Sequence, residues 1–219
     1  MITVTAFKWV PPFAEGLVRD LRVRWALEEA GIPYQAKLLG EDDKEAAEYR
    51  AVQPWGQVPV LEEDGMKLFE SGAILIYLAD RSEALAPTDA AERAKANQWV
   101  LAALNSVEPH VQNLVSIDLF YKDEDWAKAR RPGQEAFTRM KLASLAKRLQ
   151  GREWLEDRFT IGDLTMSTVL RLLRHTDIVT ADPVLGPYLA RCEARLAFQK
   201  ALADQLEPFK QNAPALQPA

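Results

Sequence analysis

Residues 56–75, GQVPVLEEDGMKLFESGAIL, limit the possible folds of this chain more than any other stretch. A proline stands at 59 inside an apolar run, where a central strand would need an N–H that proline lacks. Asp64-Gly65 then separates two strand-like runs and is the strongest short hairpin signal a sequence offers. Residues 58–63 and 66–70 are therefore predicted to be antiparallel strands. Ser71 comes directly before the apolar segment 72–80 and is predicted to cap that segment as a helix.

The preceding residues complete a unit. ITVTAF (2–7) reads as a strand and LVRDLRVRWALEEAG (17–31) as a helix, with Leu17, Leu21 and Trp25 one helical turn apart and Gly31 at the C′ position. Pro33 blocks continuation, and YQAKLL (34–39) reads as a second strand. A strand-helix-strand segment of this length implies two parallel strands with a right-handed crossover. DDKEAAEYRAV (42–52) is predicted to be a short polar helix. The order is β-α-β-α-β-β-α over residues 1–80.

Beyond Asp80 the texture changes. Residues 81–92 are polar and contain Pro87, and read as a linker. From 93 to 219 the periodic segments are helical, so a second, all-α domain is expected there. A long helix over 91–115 should kink at Pro109. KDEDWAKARRPG (122–133) is expected to be a loop or a frayed region. Thr160 and Asp163 hold N-cap and N3 spacing for another helix, and the Pro-rich tail from Glu207 is expected to fray.

Composition narrows the chemistry. With 27 basic and 32 acidic residues the net charge is −5, which argues against nucleic acid or an anionic membrane as the main partner. One cysteine, Cys192, allows no internal disulfide and fits the cytoplasm. The start MITVTAF has no signal-peptide pattern. Two histidines, His110 and His175, lack ligand spacing, so no metal site is expected.

Three segments carry a family resemblance: GQVPVLEEDGMKLFESGAILIYLAD, ALEEAGIPYQ and FTIGDLTMSTVL. Together they make the chain resemble a cytosolic glutathione transferase along nearly its whole length. The resemblance implies a thioredoxin-like N-terminal domain followed by a helical bundle, glutathione as co-substrate, and a small hydrophobic second substrate. It further implies a homodimer. It implies a cis Val58-Pro59 bond, which turns the Val58 backbone outward to pair with an extended tripeptide. Glu70 would then receive the γ-glutamyl ammonium of glutathione and Ser71 its carboxylate. Taken alone, Glu70 is a strand-end charge and Ser71 a cap; in register with Pro59 they point to a ligand. Lys44 and Gln57 are further candidates for the peptide. Trp55 reads as packing beside the proline turn.

One departure from the family pattern stands out. A Tyr, Ser or Cys usually follows the first strand and serves the glutathione sulfur. Here FKWVPPFAEGLVRDLRVRWALEEAGIP contains no Ser, Thr, Tyr or Cys. A free thiol titrates near 8.5, and lowering that by about 2 units needs about 2.7 kcal/mol of preferential thiolate stabilisation. The remaining donors are the backbone N–H groups of Ala14 to Leu17, expected at a helix N-terminus, together with Arg19, Lys8 and the Trp9 indole. Arg19 and Trp9 are the candidate catalytic groups. Absence of the thiol and of a Ser-rich helix start disfavours the thiol-exchange and maleylacetoacetate isomerase branches. Trp99, Asn105, His110 and Tyr121 are positional candidates for the second substrate. Two further readings stay open: a regulatory module that binds without turnover, and peroxide or disulfide reduction without a protein thiol.

Overall fold

The structure is a computed structural model and describes residues 1–214. The expected tail residues 215–219 lie outside the described residues. Two compact units emerge, one of residues 1–82 with 195 onward, the other of residues 83–194.

The first unit is built on four strands: β1 (Ile2–Phe7), β2 (Tyr34–Leu39), β3 (Val60–Glu63) and β4 (Met66–Phe69). Their order is β2-β1-β3-β4. β1 and β2 are parallel, from Ile2 opposite Tyr34 to Phe7 opposite Leu39. β3 is antiparallel to both β1 and β4, with Val60 opposite Phe69 and Glu63 opposite Met66. Asp64 (φ 50°) and Gly65 (φ 85°) supply the two left-handed residues that a two-residue hairpin turn needs. Helices α1 (Asp20–Ala30), α2 (Ala47–Arg50) and α3 (Ser71–Ala79) complete the thioredoxin-like order that the sequence predicts.

Two helices are shorter than expected. α1 begins at Asp20, because Leu17, Leu21 and Arg22 donate to carbonyls three residues back and wind the entry as tight turns. α2 is a single turn, because Asp43 Oδ2 accepts the Gly40 N–H at 2.7 Å and Ala46 is extended at ψ 138°. Gly31 ends α1 at φ 65°, as its position predicts.

α9 (Leu196–Gln211) packs on α1 within this unit, whereas the sequence reading assigned it to an all-helical domain over 93–219. Trp25 is fully buried edge-on to Phe198, with ring centroids 4.8 Å apart. The buried ion pair of Arg24 Nε with Asp20 Oδ2 (2.7 Å) is completed by Gln205, whose Nε2 donates to Asp20 Oδ1 at 2.6 Å. The expected fraying from Glu207 does not occur: the helix runs through Pro208. Proline cannot return an N–H to the Asp204 carbonyl, and Arg24 Nη1 donates to that oxygen instead (3.4 Å).

The second unit holds α4 (Ala90–Leu101), α5 (Glu108–Leu119), α6 (Asp125–Leu149), α7 (Ile161–Arg171) and α8 (Leu185–Glu193). Between α4 and α5 the chain is π-helical over Ala102–Val107, which puts Pro109 in the first turn of α5. The expected kink is thus a wider turn ahead of the proline, where its missing N–H costs least. The expected loop or frayed region at 122–133 is a correction: α6 starts at Asp125 and carries Pro132 internally. The linker is not a loose tether either, since Leu85 and Ala86 are buried and Leu85 O accepts the Ile161 N–H at 2.8 Å. Thr160 and Asp163 form the predicted capping box of α7. Cys192 is buried, and burial pushes its thiol up to about 12, leaving it without nucleophilic character at neutral pH.

Candidate functional site

Strand register brings the candidate residues to one end of the sheet. Val60 pairs with Phe69 where the β3–β4 ladder ends, so Val58-Pro59, just before β3, and Glu70-Ser71, just after β4, lie at the same end of the sheet. β1 runs antiparallel to β3 and ends at Phe7, so its loop 8–19 leaves from the same end. β2 is parallel to β1 and ends at Leu39, so the segment bearing Lys44 leaves there too. Tyr34, opposite Ile2, stands at the far end.

The Val58-Pro59 peptide is cis, as the resemblance implied. The β3 ladder begins only at Val60, so Val58 lies outside it. Val60 N–H is held by Thr5 Oγ1 at 2.7 Å. Gln57 is exposed, and its carbonyl accepts the Tyr49 hydroxyl at 2.6 Å.

Glu70 occupies the N-cap of α3 at φ 67°, ψ 114°, a conformation uncommon outside glycine, with its side chain exposed. Non-glycine residues held at such angles cost on the order of 1–3 kcal/mol and concentrate at functional sites. Ser71 was expected to be the cap and is instead the first helical residue, buried, with its Oγ accepting from Arg22 Nη1 at 3.2 Å. The buried Arg22 is a residue the sequence reading missed. Its helix was legible, but nothing in a string of letters says that it reaches α3, 49 residues away.

The other candidates divide. Lys44 Nζ pairs with Glu41 at 2.6 Å and keeps about a quarter of its side-chain surface exposed. Trp55, read as packing, is 63% exposed, so that expectation is corrected. Trp9 is half-buried in the loop after β1. Arg19 is half-buried at the N-terminal flank of α1 and takes part in contacts within the protein.

The backbone amides of Ala14 to Leu17 are a further correction. They are not the free first turn of a helix. Ala14 N–H donates to Pro11 O (2.8 Å), Glu15 N–H to Pro12 O (3.3 Å) and Leu17 N–H to Ala14 O (3.0 Å). The first turn of α1 instead carries the buried carboxylate of Asp20, which takes the favourable end of the helix dipole.

In the helical unit, Trp99 Nε1 donates to Glu156 at 2.7 Å, under an Arg148 guanidinium. His110 packs edge-on against Phe137, and Tyr121 lies tilted against Trp126. Asn105 is exposed in the π-helical segment. Among the described residues no helix is long and apolar enough to cross a membrane, and no group of metal-ligating side chains is assembled.

Comparison with known proteins bears on the family and the fold. Residues 4–80 match the family described as Glutathione S-transferase, N-terminal domain. The chain is 30% identical over 197 residues to the maleylacetoacetate isomerase of Rhizobium meliloti strain 1021, covering 85% of this chain and 92% of that protein. It is 37% identical over 145 residues to the glutathione S-transferase-like protein LUC7 of a Fusarium species; the match spans 63% of each, under two thirds of that relative's length. Among solved structures, a glutathione transferase of Burkholderia graminis with two glutathione molecules bound per subunit matches with a TM-score of 0.79 at 30% identity. That match covers 92% of this chain and 87% of the other.

Proposed function

Because the chain belongs to the glutathione S-transferase family, we propose that it binds glutathione at the strand ends described above and presents its thiolate to a small hydrophobic electrophile. The observation that carries this reading is the cis Val58-Pro59 peptide just before β3 at the same end of the sheet as Glu70-Ser71 just after β4. Val58 offers a backbone edge for the tripeptide, Glu70 an exposed carboxylate for its ammonium, and Ser71 an anchored hydroxyl for its carboxylate. Lys44 and Gln57 border the same end of the sheet and complete the proposed glutathione contacts. With the Ala14, Glu15 and Leu17 amides engaged, Arg19, Lys8 and Trp9 are the proposed source of thiolate stabilisation. The bound structural relative supports glutathione as the ligand. A homodimer and a cytoplasmic setting are part of the same proposal.

A second reading is a glutathione-dependent isomerase. Similarity to the Rhizobium isomerase over 92% of its length favours it, and the lack of a Ser-rich start to α1 weighs against it. A third, a binding module without turnover, is favoured by the missing hydroxyl alone. Calorimetry with glutathione separates binding from its absence. Turnover on an aryl chloride, an organic hydroperoxide, a small disulfide and a cis-configured unsaturated diketo acid then separates the reactions. Binding without turnover on any of these supports the module. No binding at millimolar glutathione overturns all three.

A further inference from the structure

The cis-proline turn is held at both ends by two hydroxyl groups from outside its own strand. Val60 N–H donates to Thr5 Oγ1 at 2.7 Å. Thr5 Oγ1 and Tyr49 Oη lie 3.0 Å apart. Tyr49 Oη donates to the Gln57 carbonyl at 2.6 Å. A tyrosine hydroxyl has one proton, and here the carbonyl takes it. The proton between Thr5 and Tyr49 must therefore come from Thr5. The result is one directed chain: Val60 N–H to Thr5 oxygen, Thr5 O–H to Tyr49 oxygen, Tyr49 O–H to Gln57 oxygen. It starts just after Val58-Pro59 and ends just before it.

We propose that Tyr49 and Thr5 are positioning residues which fix the Val58 backbone for pairing with the bound tripeptide. Neither needs to touch the ligand. Thr5 sits in β1, buried, and moves with the sheet. Tyr49 is half-buried on α2, a single turn whose backbone bonds, among them Val52 N–H and Gln53 N–H to the Tyr49 carbonyl, hold the tyrosine's backbone in place. A backbone edge binds an extended peptide well only if its N–H and C=O directions are set beforehand, because ordering them on binding costs affinity. Chained hydroxyls in a partly buried site strengthen one another, so losing either one should loosen the same turn.

The inference rests on the glutathione reading, and the test separates the two. Titrate the wild type, Tyr49→Phe, Thr5→Val and Thr5→Ser proteins with glutathione by calorimetry, reading both affinity and stoichiometry. Expected are a Kd raised about 5- to 20-fold in Tyr49→Phe and Thr5→Val at unchanged stoichiometry, and a Kd within about twofold of wild type in Thr5→Ser, which keeps the hydroxyl. A merely structural role would instead lower the binding-competent fraction and leave Kd alone; that result overturns the inference. So does a Tyr49→Phe affinity within twofold of wild type. If Thr5→Val does not fold, Tyr49→Phe and Thr5→Ser decide on the same criteria. A wild-type protein that binds no glutathione overturns the underlying reading, and the inference with it.

Discussion

Arg22 Nη1 donates to Ser71 Oγ at 3.2 Å, joining the buried face of α1 to the first residue of α3. The bond fills one lone pair of the serine oxygen and leaves its single proton free to donate elsewhere. In the proposed site that proton goes to the γ-glutamyl carboxylate. Ser71→Ala is therefore expected to weaken glutathione binding by about 1.5–3 kcal/mol, the range for a hydrogen bond to a charged group. It should do so by more than any single change in residues 90–194. Calorimetric titration checks this, and an unchanged Kd would remove Ser71 from the site.

The thiol pKa of bound glutathione should ignore the hydroxyls nearest in sequence. Tyr34 stands at the opposite end of the sheet, opposite Ile2, and Thr5 is engaged with Val60 and Tyr49. Tyr34→Phe and Thr5→Val are each expected to leave that pKa within about half a unit, under about 0.7 kcal/mol, even where Thr5→Val weakens binding. Arg19→Ala is expected to raise it, since losing a nearby cation disfavours the thiolate. The near-ultraviolet absorbance of the thiolate reports the titration in the complex. A full-unit rise in Tyr34→Phe would mean that the sulfur lies elsewhere.

Asp163 is buried in the α7 capping box, and burial pushes its carboxyl up to about 6, against donors from Leu155 N, Thr160 N and the Tyr188 hydroxyl. An unfolded aspartate titrates near 3.9. Between these two values the folded state holds the extra proton. The associated stability is full below about 3.9 and is lost as pH rises through about 6. From pH 4 to pH 7 the wild type should lose roughly 2–3 kcal/mol that Asp163→Asn, which has no proton to release there, does not lose. Urea melts of both proteins at the two pH values measure the difference; parallel losses in the two would place the pH dependence in other groups.

Gly162 lies where α7 meets α4. A Cβ built there would stand 2.6 Å from Trp99 Cβ, a contact between atoms close to the two backbones. Neither helix can yield by rotating a side-chain tip. Gly162→Ala is expected to destabilise the protein by about 1–3 kcal/mol through overpacking, even though alanine is the better helix former. Thermal denaturation tests it, and a gain in stability would show that the crossing is loose.

The strand-helix order of residues 1–80, the Asp64-Gly65 turn, the αL end at Gly31 and the Thr160–Asp163 box are legible in the letters alone. These are local: backbone freedom, a missing N–H or a three-residue spacing decides each one. The cis bond at Val58-Pro59 came from the family motif rather than from local physics. The helix through Pro132 and Pro208 and the move of Ser71 from cap to first turn, by contrast, emerge only in the folded chain. Pro208 shows the reason. Arg24, 184 residues earlier in the chain, donates to the carbonyl that the proline orphans. Arg22 at Ser71, and Thr5 with Tyr49 around the proline turn, are legible only in space for the same reason. A side chain's partner across the fold is set by packing, and no spacing along the chain encodes it.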